Sequence, residues 1–184
     1  GIEGVKIGPP FEFNYNMVNF TADAAPASGS TDTLIIGTTD EVNSLDANDA
    51  YSTHDWEILK NTGVPLLKYT PGTSELVPGV AAEMPTVSED GKTYTFKLRE
   101  GVVFHDGTPF TAEAVKVSFD RAAEGKTVAA ASPAILSGYI ETEIVDNYNI
   151  VVKFETPHAT FFQDLSRPWM MISSPAAIEQ YGDD

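Results

Sequence analysis

The stretch FHDGTPFTAEAVKVSFDR, residues 104–121, sets His105 beside Asp106 and carries Ser118 further along. An imidazole next to a carboxylate can move protons, ligate a metal, or activate a hydroxyl nucleophile. The same residues also suit a turn. Gly107 takes positive φ at low cost, and an Asp side chain bonds nearby backbone amides. The rest of the chain favours the turn. A zinc site asks for three or four protein ligands, and the only histidines are His54, His105 and His158, widely separated and without a HExxH pattern. Ser118 falls inside a run with helical spacing, and no Ser-His-Asp constellation is legible. The pair is therefore read as structural, with His105 serving a neighbouring loop or pairing with Asp106, so that its replacement should cost stability and not binding. A hydrolase using Asp106, His105 and Ser118 is the rival reading; no catalytic or metal-ligating residue is assigned.

Two other segments carry binding chemistry. In LSRPWMM, residues 165–171, Arg167 precedes Pro168 and Trp169 in a mostly apolar setting. A guanidinium can hold a carboxylate through two parallel bonds, or it can simply pair with one of the chain's own carboxylates. In NDAYSTHDWEIL, residues 48–59, Tyr51, Ser52, Thr53, His54, Asp55 and Trp56 follow an expected strand. Ligands collect at the carboxyl ends of strands in open α/β sheets. Trp56 fits either a cleft wall or the core face of a helix, since aromatics dominate both.

The composition bounds what such sites can serve. The 184 residues are 42% hydrophobic, enough for a core and too apolar for disorder. A net charge of -16 repels phosphate backbones and anionic lipid, so no nucleic-acid partner is expected. The absence of cysteine removes disulfides, thiolate metal sites and Cys nucleophiles. No basic region followed by an apolar stretch opens the chain as given, which does not decide the compartment, because a mature secreted protein has already lost its signal.

The elements that must position these residues can be outlined. Residues 1–32 read as an N-terminal arm and an Ala/Ser/Pro/Gly linker, and 33–184 as the folded body. TLIIGTT reads as a buried strand. Thr53 or Asp55 is expected to cap a helix through HDWEILKNTG, which Gly63 stops. VPLLKYTPGTSELVPGVAAEM reads as two extended pieces around a Pro-Gly turn. Asp90-Gly91 marks a hairpin in which Tyr94, Phe96 and Leu98 face inward. VVF, after Glu100-Gly101, reads as a further short strand. Thr111 should cap a helix whose Val115, Phe119 and Ala122 form one stripe, ending at Gly125. TVAAASPAILSGYI reads as a loop with a helical turn. IETEIVD and YNIVVKFE form a hairpin, HATFFQDL a short helix with Phe161, Phe162 and Leu165 inward, WMMISSP an extended piece, and PAAIEQYG a helix opened by Pro175. The sum is an α+β, mixed α/β domain.

The run SEDGKTYTFKLREGVVFHDGTPFTAEAVKVSFDRA, residues 88–122, resembles the signature region of the extracellular solute-binding proteins of family 5, which serve peptide, oligopeptide and nickel ABC importers. TLIIGTTDEVNSLD, LVPGVAAEM, IVDNYNIVVKFETPHATFFQDLSRP and MISSPAAIEQYG resemble the flanking segments in the same order. The likeness covers residues 33–184. Family members continue past a YGDD-like stretch into a second lobe and hinge. The chain is thus expected to be the N-terminal portion of such a protein, part of the first lobe with its inserted small domain.

The resemblance implies a periplasmic-binding-protein-like fold and no catalysis or cofactor. It implies a small-molecule or peptide ligand, chelated nickel included, an ABC transporter permease and the C-terminal lobe as partners, and a place outside the cytoplasm, in the periplasm or lipid-anchored at the outer face of the membrane. It places Tyr51 where some nickel-type members present a ligand-facing Tyr, Trp56 near a ligand-facing apolar residue, and Arg167-Pro168 where nickel-type members have Arg-Pro. The proposed ligand-binding residues are Tyr51 to Trp56, Arg167 and Trp169. A receptor-like module that binds a partner protein without transport is the second rival.

Overall fold

The computed structural model describes residues 41–124 and 135–182. The arm and linker, the TLIIGTT strand, Gly125 and the first part of TVAAASPAILSGYI lie outside the described residues.

Helix α1 spans Thr53–Thr62. Its cap is Ser52, and not Thr53 or Asp55. Ser52 has extended backbone, and its hydroxyl accepts the Asp55 N–H at 3.1 Å. A cap oxygen must reach an amide two or three residues on, and Ser52 is the position from which Asp55 is in reach. Asp55 instead sits buried in the first turn, where it accepts the Asn43 N–H at 2.9 Å. Gly63 ends the helix by donating to the Leu59 carbonyl at 2.7 Å. Its φ of -111° is ordinary extended backbone. Glycine is needed there for space: a Cβ would stand 2.5 Å from the Met171 sulfur.

Strands β1, Leu67–Tyr69, and β2, Leu76–Pro78, form a separate antiparallel hairpin. The main sheet contains β3, Thr86–Val87, β4, Thr93–Lys97, β5, Tyr139–Asp146, and β6, Asn149–Phe154. Its order is β3-β4-β6-β5, antiparallel throughout. Both expected hairpins form, and Gly91 takes φ 69° in the first turn. Register puts Tyr94 opposite Val152 and Phe96 opposite Ile150, so one face is apolar and buried. On the other face Lys153 bridges Glu141 and Glu143, each at 2.7 Å.

VVF does not extend this sheet. Val103 makes one isolated bridge, to Pro109. Proline has no N–H to continue a ladder, so the segment closes as a tight loop, with the Phe104 N–H on the Thr108 carbonyl at 2.8 Å. WMMISSP is likewise not simply extended. Pro168–Met170 form a 3-10 turn, because the fixed φ of Pro168 suits the first position of a helical turn.

Helix α2, Ala112–Glu124, begins directly after Thr111 and buries Val115, Phe119 and Ala122 against β5. Its buried Arg121 pairs with Asp46 at 2.5 Å, tying α2 to the loop before α1. The short helix α3, Phe161–Asp164, drives Phe161 into the centre of the core. That ring stands 4.8 Å from both Tyr94 and Phe154, 6.2 Å from Phe96 and 6.3 Å from Phe119. Phe162 is only half-buried, while Leu165 is fully buried. Helix α4, Pro175–Tyr181, closes the described chain with Ser174 as its cap.

Phe161 thus joins sheet, helix and the segment leading to Arg167. Phe161→Ala is expected to destabilise the fold by about 3–5 kcal/mol, the range for emptying an aromatic core site. Urea denaturation followed by circular dichroism checks this.

Candidate functional site

The His105-Asp106 pair lies on the tight loop before α2. Asp106 accepts the Thr108 N–H at 2.8 Å, the Thr108 hydroxyl at 2.6 Å and the Ser174 hydroxyl at 2.5 Å. The bonds from Ser174, then from Thr108, hold its carboxyl below the usual value near 3.8. Its role in these contacts is to pin the loop onto the cap of α4. His105 is exposed and has no hydrogen bond or ion pair among the described residues, so it does not pair with Asp106. Ser118 is buried in α2, and its hydroxyl accepts the Ser173 N–H at 3.0 Å. No Ser-His-Asp arrangement exists among these three. An open cleft of about 640 Å³ beside the loop includes Asp46, Asp106 and Ser174 in its walls; each of these is already engaged within the fold.

The two binding segments meet elsewhere. Trp56 on α1 and Trp169 in the 3-10 turn stand 4.7 Å apart, inclined at 52°. Arg167 lies 5.5 Å over the Trp169 ring, a cation–π distance. All three wall one cleft of about 800 Å³, a size suited to a small molecule or short peptide. Tyr51, 64% exposed, meets Trp56 edge-on at 5.7 Å. Ser52, Thr53, His54 and Asp55 occupy the start of α1 and are not in the cleft wall. Burial raises the Asp55 carboxyl, but bonds from Asn43, Ser52 and Ser44 outweigh it and leave the group below its usual range.

Local sequence explains how the wall is held. Trp56 donates its indole N–H to the Ala50 carbonyl at 2.9 Å, which fixes the ring against the loop before its own helix. The Asn48 amide donates to the Trp169 carbonyl at 3.1 Å and joins the two segments directly. Arg167 gives only its Nε to Asp164 Oδ1, at 3.0 Å. Its terminal nitrogens have no acceptor among the described residues. One edge of this arginine is thus paired within the chain, as its second reading expected, and the other edge faces no acceptor among the described residues. Asp164 is itself buried and also accepts the Thr160 hydroxyl at 2.8 Å. It is a positioning residue that sequence reasoning missed, although its i, i+3 spacing to Arg167 was a readable signal. Lys60 and Lys68, also in the cleft wall, had no such signal. Among the described residues no three His, Cys, Asp or Glu side chains are grouped to hold a metal ion.

The α+β architecture is that of part of a periplasmic binding protein, as its likeness to solved structures shows. The chain belongs to the bacterial extracellular solute-binding proteins, family 5 (Middle), whose model matches residues 75–184. It is similar to the glutathione-binding protein GsiB of Escherichia coli K12, 39% identical over 112 residues, which are 57% of this chain and 20% of that protein. The GsiB of Pectobacterium atrosepticum is 33% identical over 162 residues, 88% of this chain and 30% of the relative. Among solved structures it resembles AgaA of A. tumefaciens R10 in complex with agropinic acid, with 28% identity and a TM-score of 0.71 over 78% of this chain and 28% of that one. DppA of Helicobacter pylori in complex with the peptide STSA gives 26% identity and a TM-score of 0.64 over 78% of this chain and 31% of that one. The chain thus spans between 20% and 31% of the length of these relatives. No helix among the described residues is long and apolar enough to cross a membrane.

The structural role of Asp106 has a signed pH dependence. A carboxylate with a lower pKa folded than unfolded stabilises the fold above its unfolded value, and loses that contribution as pH falls through the folded one. Asp106→Asn is expected to lower the melting temperature at neutral pH, with the gap to wild type closing below about pH 4. His105→Ala, lacking a partner to lose, should shift melting by no more than about 2 °C. Differential scanning calorimetry across acid pH checks both.

Proposed function

We propose that the protein bearing this chain is the extracytoplasmic solute-binding component of an ABC importer, and that it takes a peptide or related small carboxylate solute to the permease. The observation that carries this reading is the convergence of Trp56, Trp169 and the free edge of Arg167 in one cleft. The indoles offer an apolar platform, and the guanidinium offers two parallel donors to a carboxylate. The relatives support it: GsiB is named for glutathione, AgaA was solved with agropinic acid and DppA with a peptide.

In this reading a second, C-terminal lobe closes over the exposed side of the cleft, and closure is the state the permease reads, as in hinge-bending binding proteins. Tyr51 is the most exposed aromatic of the group and is placed to meet the ligand or the closing lobe. Residues 1–32 act as arm and tether and 33–184 as the binding body, in the periplasm or lipid-anchored at the outer face of the membrane. A metal ion held by a small carboxylate chelator would present the same group to Arg167, and chelated nickel falls within the proposed ligand range.

The test is a tryptophan-fluorescence titration of the protein with mixed di- to pentapeptides, then with nickel plus a small carboxylate chelator. A saturable change supports the reading and separates the ligand classes. A flat response to both in folded protein contradicts it. Arg167→Ala is expected to weaken binding by more than about tenfold, because it removes a charged hydrogen-bonding partner. A change below about twofold would take Arg167 out of the site.

A further inference from the structure

The cleft that holds Trp56, Trp169 and Arg167 is also walled by Lys60 and Lys68, and no Asp or Glu among the described residues contributes to it. The chain has 27 acidic and 11 basic residues. Three of those 11 cations share one cleft, and none of the described carboxylates lines it. Elsewhere among the described residues Lys116 pairs with Asp120, Lys153 with Glu141 and Glu143, and the buried Arg121 with Asp46, while Lys92, Lys97 and Arg99 have no ion pair but lie outside this cleft. Lys60 and Lys68 have no ion pair among the described residues. Both are exposed, Lys60 in the last turn of α1 and Lys68 in the middle of β1. The Gly63–Pro65 connection that reverses the chain between them also lines the cleft. Arg167 is steadied by Asp164 through one nitrogen, but the two lysines are left without a counter-charge.

Like charges held around one cavity repel, and an anion entering it relieves them. A single carboxylate satisfies the guanidinium fork and leaves the ammonium groups unmatched. Resting on the solute-binding reading above, we propose that this cleft selects solutes with two or more carboxylates. Arg167 takes one, and Lys60 with Lys68 forms a second, anion-binding subsite in the same cleft. The class is that of acidic peptides and polycarboxylate conjugates.

The experiment is isothermal titration calorimetry on the full protein with two tripeptides of equal shape, Glu-Ala-Gly and Gln-Ala-Gly, at neutral pH and low salt. They differ by one carboxylate. The Glu peptide is expected to bind at least about fivefold tighter, an advantage that shrinks as salt is added. The double variant Lys60→Gln, Lys68→Gln brings the ratio close to one, whereas Lys116→Gln, outside the cleft, preserves it. Measurable binding of both peptides with equal affinity overturns the second subsite and leaves the solute-binding reading standing. So does a ratio that the double variant does not reduce. Binding of neither peptide, in folded protein, removes the solute-binding reading and this inference together.

Discussion

The packing of Phe161 is the contact on which the rest of this lobe depends. Its ring lies where the buried faces of β4 and β6 meet α2, touching Tyr94, Phe96, Phe154 and Phe119. Because Phe161 opens α3, burying it also fixes where that short helix starts. Asp164 sits one turn on, buried, and holds the Nε of Arg167. Pro168 then commits the chain to a 3-10 turn that sets Trp169 against Trp56. The Tyr94 hydroxyl, donating to the His158 carbonyl at 2.8 Å, steadies the approach to α3 from the other side. The sheet core and the cleft wall are thus linked within ten residues of chain.

Charge is distributed to the same end. Carboxylates outnumber cations by more than two to one, which keeps the surface soluble and repels phosphate polymers. Within that field the charged groups of the cleft wall, among the described residues, are all cations. Three nearby acidic groups are engaged within the fold: Asp55 buried under the start of α1, Asp164 on the paired edge of Arg167, Asp46 on Arg121.

Much of this was legible in the sequence where local chemistry decides structure. Asp90-Gly91 and Asn147 mark their hairpins, alternation at Tyr94, Phe96 and Leu98 gives the buried face, and the stripe of Val115, Phe119 and Ala122 gives α2. The family was legible in the motif run from residue 88 to 122. Three features were misread because a neighbour overrides the local pattern. Ser52 takes the cap from Thr53 and Asp55, since reach to an amide and not residue preference alone selects it. Pro109 stops VVF from joining a ladder. Pro168 curls a stretch whose composition looks extended. Of the candidate site, Trp56, Arg167 and Trp169 come together as a cleft wall. Ser52 to Asp55 instead build the start of α1. Lys60 and Lys68 could not be seen, because only the reversal at Gly63–Pro65 brings a helix end and a strand onto one wall.

The central claim is that the indole platform of Trp56 and Trp169 receives the solute. Indole N–H signals of nitrogen-15-labelled protein report on each ring separately. Trp169 carries a buried N–H with no acceptor among the described residues, while that of Trp56 is held by Ala50. The account predicts that saturating the protein with a peptide shifts both signals, Trp169 the more. Calorimetric saturation with both signals unmoved would place the ligand elsewhere and contradict it.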